Sequence, residues 1–147
     1  MPAEVTSHLM PYFKDAEDVY RHLGRLFEDI IADEDLGARF KAADTVVQIR
    51  MRRPDSQLTL KTLEAEDQQI DFGVTELRPE VVLAMDADTA HRFWLGKVNV
   101  TVALARGQIS ARGPVAKILK LVPLVEPVRA RYESSLQESG RDDLVRA

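Results

Sequence analysis

The sequence contains no cysteine, which excludes a disulfide scaffold, a thiol nucleophile and a thiolate metal site. It also lacks any apolar run near the roughly 20 residues that a membrane-spanning helix needs. The first ten residues, MPAEVTSHLM, have neither the basic start nor the apolar core of a secretory signal. With 24 acidic against 20 basic residues, the formal net charge of −4 disfavours nucleic-acid binding. These absences predict a soluble cytoplasmic protein.

Motifs for catalysis and for cofactor binding are equally scarce. The three histidines, His8, His22 and His91, are too far apart for a helical metal pair. The sequence has no phosphate-binding glycine loop and no Gly-x-Ser-x-Gly elbow. Asp88 lies three residues before His91 and could orient it as a general base, but we favour a structural role in which His91 is a partly exposed helix residue. We therefore predict no catalytic residue, no cofactor and no metal site.

The pattern that the sequence does contain is that of a single α+β domain. A length of 147 residues suits one domain, with a core over about 15–137 and flexible flanks at 1–14 and 138–147. Apolar residues at helical spacing predict a helix over 15–33. Alternation of apolar and polar residues then predicts four strands, at 44–53, 57–63, 69–73 and 80–85.

The second half of the chain is predicted to form short helices around one short strand. Asp86 is expected to cap a helix that ends at Gly96. Residues 98–104 fit a strand by their Val and Thr content and a helix by their position, so both assignments stay open. A strand at 108–112 follows, and Pro114 suits the first position of a helix.

Apolar helical surface is in excess from residue 93 onward. Pro123 and Pro127 are expected to split this stretch, with a helix resuming near Val125 and running to about Gln137. Such surface either packs as ordinary core or lines an apolar cavity, and composition alone does not separate the two. If it lines a cavity, ligand exchange requires the helices around the two prolines to loosen.

The order of these elements and two stretches of the second half resemble the sterol carrier protein 2 family. Residues 85–100, MDADTAHRFWLGKVNV, resemble the family's strand end, helix and Gly-Lys turn. Residues 102–132, VALARGQISARGPVAKILKLVPLVEPVRARY, resemble its next helix, short strand and apolar C-terminal helix. The likeness covers about residues 15–135. A joint spacing of one acidic residue and three glycines strengthens it: Asp86, Gly96, Gly107 and Gly113.

The resemblance implies a five-stranded mixed sheet with helices covering one face, and it favours a helix at 100–106. It also implies an apolar tunnel between the sheet and the C-terminal helices that holds a sterol, a fatty acyl chain or a related lipid without catalysis. Arginines at the mouth would receive an acidic head group. The positions carried over as apolar lining are Phe93, Trp94, Leu104, Ile109, Ile118, Leu119 and Val122, with Phe27 and Ile31 from the first helix.

Two other functions are compatible with these residues. The apolar C-terminal helices could instead bind another protein or a second copy, and we expect a monomer or a homodimer. An enzyme that uses His91 and Asp88 in the pocket is less favoured. The leading hypothesis predicts an apolar small molecule as partner and only transient membrane contact, because the acidic balance disfavours lasting attachment to anionic membranes.

Overall fold

A computed structural model describes residues 11–147 of the chain. The fold is α+β and is built on a five-stranded sheet with the strand order β3-β2-β1-β4-β5. The strands are β1 (Thr45–Arg52), β2 (Ser56–Thr62), β3 (Gln69–Phe72), β4 (Val81–Asp86) and β5 (Ile109–Arg112). Each strand that the alternation predicted is present, with no bound shifted by more than one residue.

The sheet is mixed, as predicted. β1 runs antiparallel to β2 and parallel to β4, and β5 is antiparallel to β4. On β1, Val47 and Ile49 face the helices, while Gln48 faces the opposite side. The β3–β4 connection begins on that opposite side, where the Thr75 hydroxyl donates to the Asp71 carboxylate at 2.6 Å. The helices cover the face that Val47 and Ile49 share.

The helices lie in two groups along the chain. The first group is α1 (Ala16–Val19), a π-helical turn (Tyr20–Gly24), α2 (Arg25–Ala32) and α3 (Glu34–Lys41). The second group is α4 (Ala87–Trp94), α5 (Val100–Ala105), α6 (Val115–Leu119), a 3-10 turn (Val122–Leu124), α7 (Val125–Glu138) and α8 (Asp142–Val145). Among residues 11–147, no helix has the length and apolar character needed to cross a membrane.

The long first helix packs closely against the sheet edge at Gly24. A Cβ atom at this position would lie only 2.7 Å from Cζ of Phe72, the last residue of β3. The Phe72 ring also stacks on Tyr20, with ring centroids 5.4 Å apart. The glycine inside the helix therefore permits a close approach by an aromatic side chain.

Local chemistry in the second half differs from the sequence predictions at two points. Asp86 precedes α4, but its carboxylate accepts from the Arg52 guanidinium at 3.3 Å and caps no helix amide. Pro114 is the N-cap residue of α6 and lies one position before the first helical residue. Residues 98–104, left open between strand and helix, contribute to α5, because the Asn99 side chain caps it by accepting from the Val102 amide.

The join between β5 and α6 depends on Gly113. Its φ is +99°, in the region that side chains disfavour. A Cβ there would collide with the backbone carbonyl of Glu80, just before β4. This contact holds the end of β5 close against the start of β4.

The two ends of the described chain differ from the predicted flexible flanks. Residues 1–10, which include His8, lie outside the described residues. Phe13 is fully buried, so the ordered core begins before residue 15. At the other end, α8 folds back and buries Leu144, which is only 2% exposed. The segment after residue 138 is thus held to the core by Leu144, whereas the sequence predicted a flexible flank at 138–147.

Candidate functional site

An apolar cavity lies between the helices and the covered face of the sheet. Its volume is about 80 Å³, and every lining residue except Thr62 is apolar. The Thr62 hydroxyl donates to the Thr45 carbonyl at 3.0 Å, so its hydrogen is already used. The walls therefore offer a surface for an apolar body, with no acid, base or free nucleophile.

The structure brings together eight of the nine predicted lining residues. Around the cavity lie Phe27, Phe93, Trp94, Leu104, Ile109, Ile118, Leu119 and Val122. Ile31 is the exception, because it lies half-buried on α2 outside the main hydrophobic cluster, while the adjacent Ile30 is fully buried. The binding of a ligand by these residues remains a prediction.

The sequence interpretation missed much of the sheet side of the cavity. The twelve additional lining residues are Phe40, Val47, Ile49, Leu60, Thr62, Leu83, Met85, Ala90, Val100, Ala111, Val115 and Leu121. The alternation in β1, β2 and β4 was a usable signal, because residues two apart point to the same face. Knowing which face the helices cover would have identified these positions.

A larger surface groove lies directly beside the cavity. Its volume is about 600 Å³, and its lining runs from α4 through the α4–α5 connection to the 3-10 turn and the start of α7. Four residues line both spaces: Phe93, Val100, Leu119 and Val122. These side chains form the partition between the cavity and the groove.

The groove is not lined by the arginines that were expected at the cavity mouth. Its one charged lining residue is Glu126, which accepts from the Arg129 guanidinium at 3.4 Å. Asn99 and Thr101 supply its other polar side chains. An acidic head group placed in the groove would therefore meet a carboxylate as well as a cation.

The elements that separate the cavity from solvent are short and lightly packed. We call residues 100–124 the cover segment. α5 has one buried residue, Ala103, and α6 has none. Leu119 and Val122 are 44% and 37% exposed although both line the cavity. The two helices α5 and α6 therefore carry little of the buried surface that stabilises the fold, while Ile109, Leu121 and Leu124 anchor the rest of the cover segment in the core.

His91 does not face the cavity and forms no catalytic pair with Asp88. It is fully buried, and its Nε2–H donates to the Leu144 carbonyl at 2.8 Å while Nδ1 accepts from the Tyr132 hydroxyl at 2.6 Å. Burial lowers the pKa of His91 from its ordinary value near 6.5 to about 4. Asp88 instead accepts from the Tyr12 amide at 3.0 Å, and burial raises its pKa. The structural role holds, but the prediction of partial exposure was wrong.

Residues 11–147 form no cluster of side chains suited to bind a metal ion. No three His, Asp or Glu side chains come together there in a way that could hold an ion. The candidate site is thus the apolar cavity with its neighbouring groove.

Comparison with solved structures identifies the architecture. The sterol carrier protein domain 2 of Helicoverpa armigera superposes with a TM-score of 0.61 at 16% identity, over 76% of this chain and 88% of that one. The chain has the fold of sterol carrier protein 2. A crystal structure of sterol carrier protein 2 matches over 71% of this chain and 90% of that one, with a TM-score of 0.52 and 18% identity. The predicted five-stranded mixed sheet and the resemblance in fold are confirmed.

Two longer proteins also match this chain over part of their own length. A stereoselective sec-alkylsulfatase from Pseudomonas superposes over 61% of this chain and 15% of its own, with a TM-score of 0.51 and 17% identity. In sequence, mouse hydroxysteroid dehydrogenase-like protein 2 is 24% identical over 121 residues, which are 82% of this chain and 23% of that protein. The chain therefore spans about a quarter of the length of the curated relatives it matches. No family model matches the sequence.

Proposed function

We propose that the protein binds the apolar body of a lipid-like molecule, such as a sterol or a fatty acyl chain, and carries it without chemical change. The observation that supports this is the cavity, whose walls are apolar except for one hydroxyl that is already hydrogen-bonded. Apolar surface that leaves water in such a site contributes roughly 25 cal/mol per Å² to binding. The names of the structural neighbours, sterol carrier proteins, agree with a lipid ligand.

Ligand entry requires the cover segment to move. A volume of about 80 Å³ is below the about 300–1,000 Å³ of typical small-molecule sites. The groove, at about 600 Å³, falls within that range and is separated from the cavity by four apolar side chains. Outward movement of Leu119 and Val122 would merge the two spaces into one site long enough for a lipid tail.

A second candidate is a protein-interaction or oligomerisation module that uses the same elements. The observation in its favour is the exposure of three apolar side chains on the cover segment: Val102, Leu119 and Val122. Denaturing mass spectrometry of an organic extract of the purified protein separates the two functions. Stoichiometric lipid supports the carrier, whereas a clean extract and an obligate dimer on sizing support the module.

The substitution Leu104→Trp tests the position of the binding site. The indole should fill the cavity, so we expect affinity for a fluorescent fatty acid to fall by about tenfold while stability changes little. The matched control is Val102→Trp, which places the same ring on the exposed side of α5, 41% exposed in the native protein. Unchanged affinity together with a loss of about 1–3 kcal/mol of stability would show that Leu104 lies in a packed core.

A further inference from the structure

Lys117 ties the cover segment to the sheet. It lies on α6, and its ammonium donates to the Glu80 carboxylate at 3.0 Å and to the Asp44 backbone carbonyl at 3.0 Å. Asp44 directly precedes β1, and Glu80 directly precedes β4. Because these two strands are parallel neighbours, both acceptors lie at the same end of the sheet. One ammonium group therefore joins α6 to the starts of two strands.

The Glu80 carboxylate is oriented from the sheet side. Its Oε1 also accepts from the Thr45 hydroxyl at 2.7 Å, and Thr45 is completely buried. The Glu80 backbone N–H donates to the Val46 carbonyl at 2.8 Å. The Thr45 hydroxyl and the Lys117 ammonium hold the pKa of Glu80 below its usual range, so the carboxylate is charged at neutral pH. The sheet therefore presents a fixed anion to α6.

Glu80 also supports the connection that leads into α6. Gly113 packs so closely on the Glu80 carbonyl that no Cβ atom fits between them. α6 begins two residues later, and three of its five residues line the cavity. Among residues 11–147, no other side chain of the cover segment has a hydrogen bond or an ion pair to a residue outside that segment. The Lys117 contact is therefore the polar restraint on movement of α6 about Gly113.

We propose that Lys117 and Glu80 form a latch that holds the cover segment closed over the cavity and sets the rate of ligand exchange. When this ion pair breaks, α6 moves outward about Gly113. Leu119 and Val122 move with it, and the cavity joins the groove. Lys117 is a positioning residue in this device, because it lines neither space. The inference rests on the proposed lipid-binding function and adds the contact that controls access.

The latch acts on rates more than on affinity. Neither Lys117 nor Glu80 contributes to the walls of the cavity or of the groove. The ion pair belongs to the closed state with and without ligand, so its loss favours the open state equally in both. Association and dissociation therefore become faster together. A wall substitution such as Leu104→Trp changes affinity instead.

Stopped-flow measurement with a fluorescent fatty acid tests the latch. Lys117→Met keeps an apolar stem and removes the charge. We expect it to speed both association and dissociation by about three- to fivefold, with less than about a twofold change in Kd. Glu80→Gln, whose amide oxygen can still accept from the Thr45 hydroxyl, should act similarly. The double variant should be no faster than either single variant, because both changes remove the same ion pair.

The matched control is Arg39→Met, which removes an exposed ion pair with Asp35 on α3, outside the cover segment. Both rates should stay at the parent values in this variant. Parent-like rates in Lys117→Met would overturn the proposal. So would a double variant whose acceleration is the product of the two single effects, because the two residues would then act independently.

Amide hydrogen exchange of the ligand-free protein separates failure of the latch from failure of the carrier function. In Lys117→Met, the amides of α6 should exchange about threefold faster while those of β1 keep their parent rates. Unchanged exchange in α6 refutes the latch whether or not a lipid binds. Faster exchange in α6 with unchanged fatty-acid rates refutes control of access. Faster exchange in α6 of a protein that takes up no fatty acid refutes the carrier function and leaves the latch as a restraint on α6 alone.

Discussion

The cover segment and the region where α2, α4, α7 and α8 meet have similar amino acids but differ in how deeply these are buried. We call this second region the helical pole. At the pole, α2, α4, α7 and α8 bury Leu26, Tyr132 and Leu136 completely, and His91 joins three of these elements through two hydrogen bonds. In α5 and α6 of the cover segment, Ala103 is the one buried side chain. The difference indicates that the protein places its stability at one end of the helical layer and leaves the cavity entrance weakly held.

The largest expected effect comes from truncating a leucine in each region. Leu136→Ala at the pole should lower the free energy of unfolding by about 2–5 kcal/mol, because a fully buried side chain leaves a cavity. Leu119→Ala on the cover segment should cost about 0.5 kcal/mol or less. Urea unfolding of both variants measures the two costs. Similar costs would show that the cover segment contributes to the fold as fully as the pole does.

The next effect is a pH dependence that originates at the pole. The folded pKa of His91 is about 4 and the unfolded value is about 6.5, so the unfolded state binds more protons between these values. The stabilisation is therefore fully present above pH 6.5 and falls by about 3 kcal/mol as the pH drops to about 4. Unfolding curves at pH 7, 5.5 and 4 measure this slope.

His91→Gln is the matched variant for this titration, because its amide can still donate to the Leu144 carbonyl but does not titrate. Its stability should fall less steeply than that of the parent over the same range. NMR titration of the His91 ring provides a direct reading, with a midpoint near 4 expected. Parallel unfolding curves or a ring midpoint near 6.5 would contradict the assigned burial.

The smallest of these effects is the difference between the two regions in the free energy of local opening, which should be lower in the cover segment than at the helical pole. Amide hydrogen exchange should be faster in α5 and α6 than in β1 and α7, because few buried contacts must break. A fatty acid bound in the cavity should slow exchange in α5 and α6 selectively. If the amides of α5 and α6 are as strongly protected from exchange as those of α7, the cover segment is not the more weakly held region.

Most of the fold follows from local patterns in the sequence. The period of two at Val47, Ile49 and Met51 predicted β1. Pro123 lies in the 3-10 turn that divides the last apolar stretch, whereas Pro127 lies in the first turn of α7 and does not interrupt that helix. The tail could not be predicted, because its order depends on Leu144 meeting a histidine 53 residues away in sequence. The prediction that the Asp86 side chain caps α4 was wrong for a similar reason. Its carboxylate pairs with Arg52 on the neighbouring strand β1, a contact between residues far apart in sequence.

The candidate site was predictable on its helical side and hidden on its sheet side. Phe93, Leu104 and Ile118, all of which line the cavity, were carried over as apolar positions from the family resemblance. The alternation around Leu60 and Leu83 shows which residues share a face, but it does not distinguish a cavity wall from ordinary core. Ile31 was misplaced because a helical stripe defines a face and does not fix which end of that face meets the cavity.

Gly113 bears on how such a chain can diverge during evolution. Its backbone conformation and its contact with the Glu80 carbonyl leave no room for any side chain, so only one amino acid suits this position. The cavity walls, by contrast, require apolar character and approximate size, and many substitutions satisfy them. Mutations can therefore accumulate in the cavity walls while the strand–helix junction stays unchanged. The shape of the cavity can change in descendants of this chain long before the architecture does.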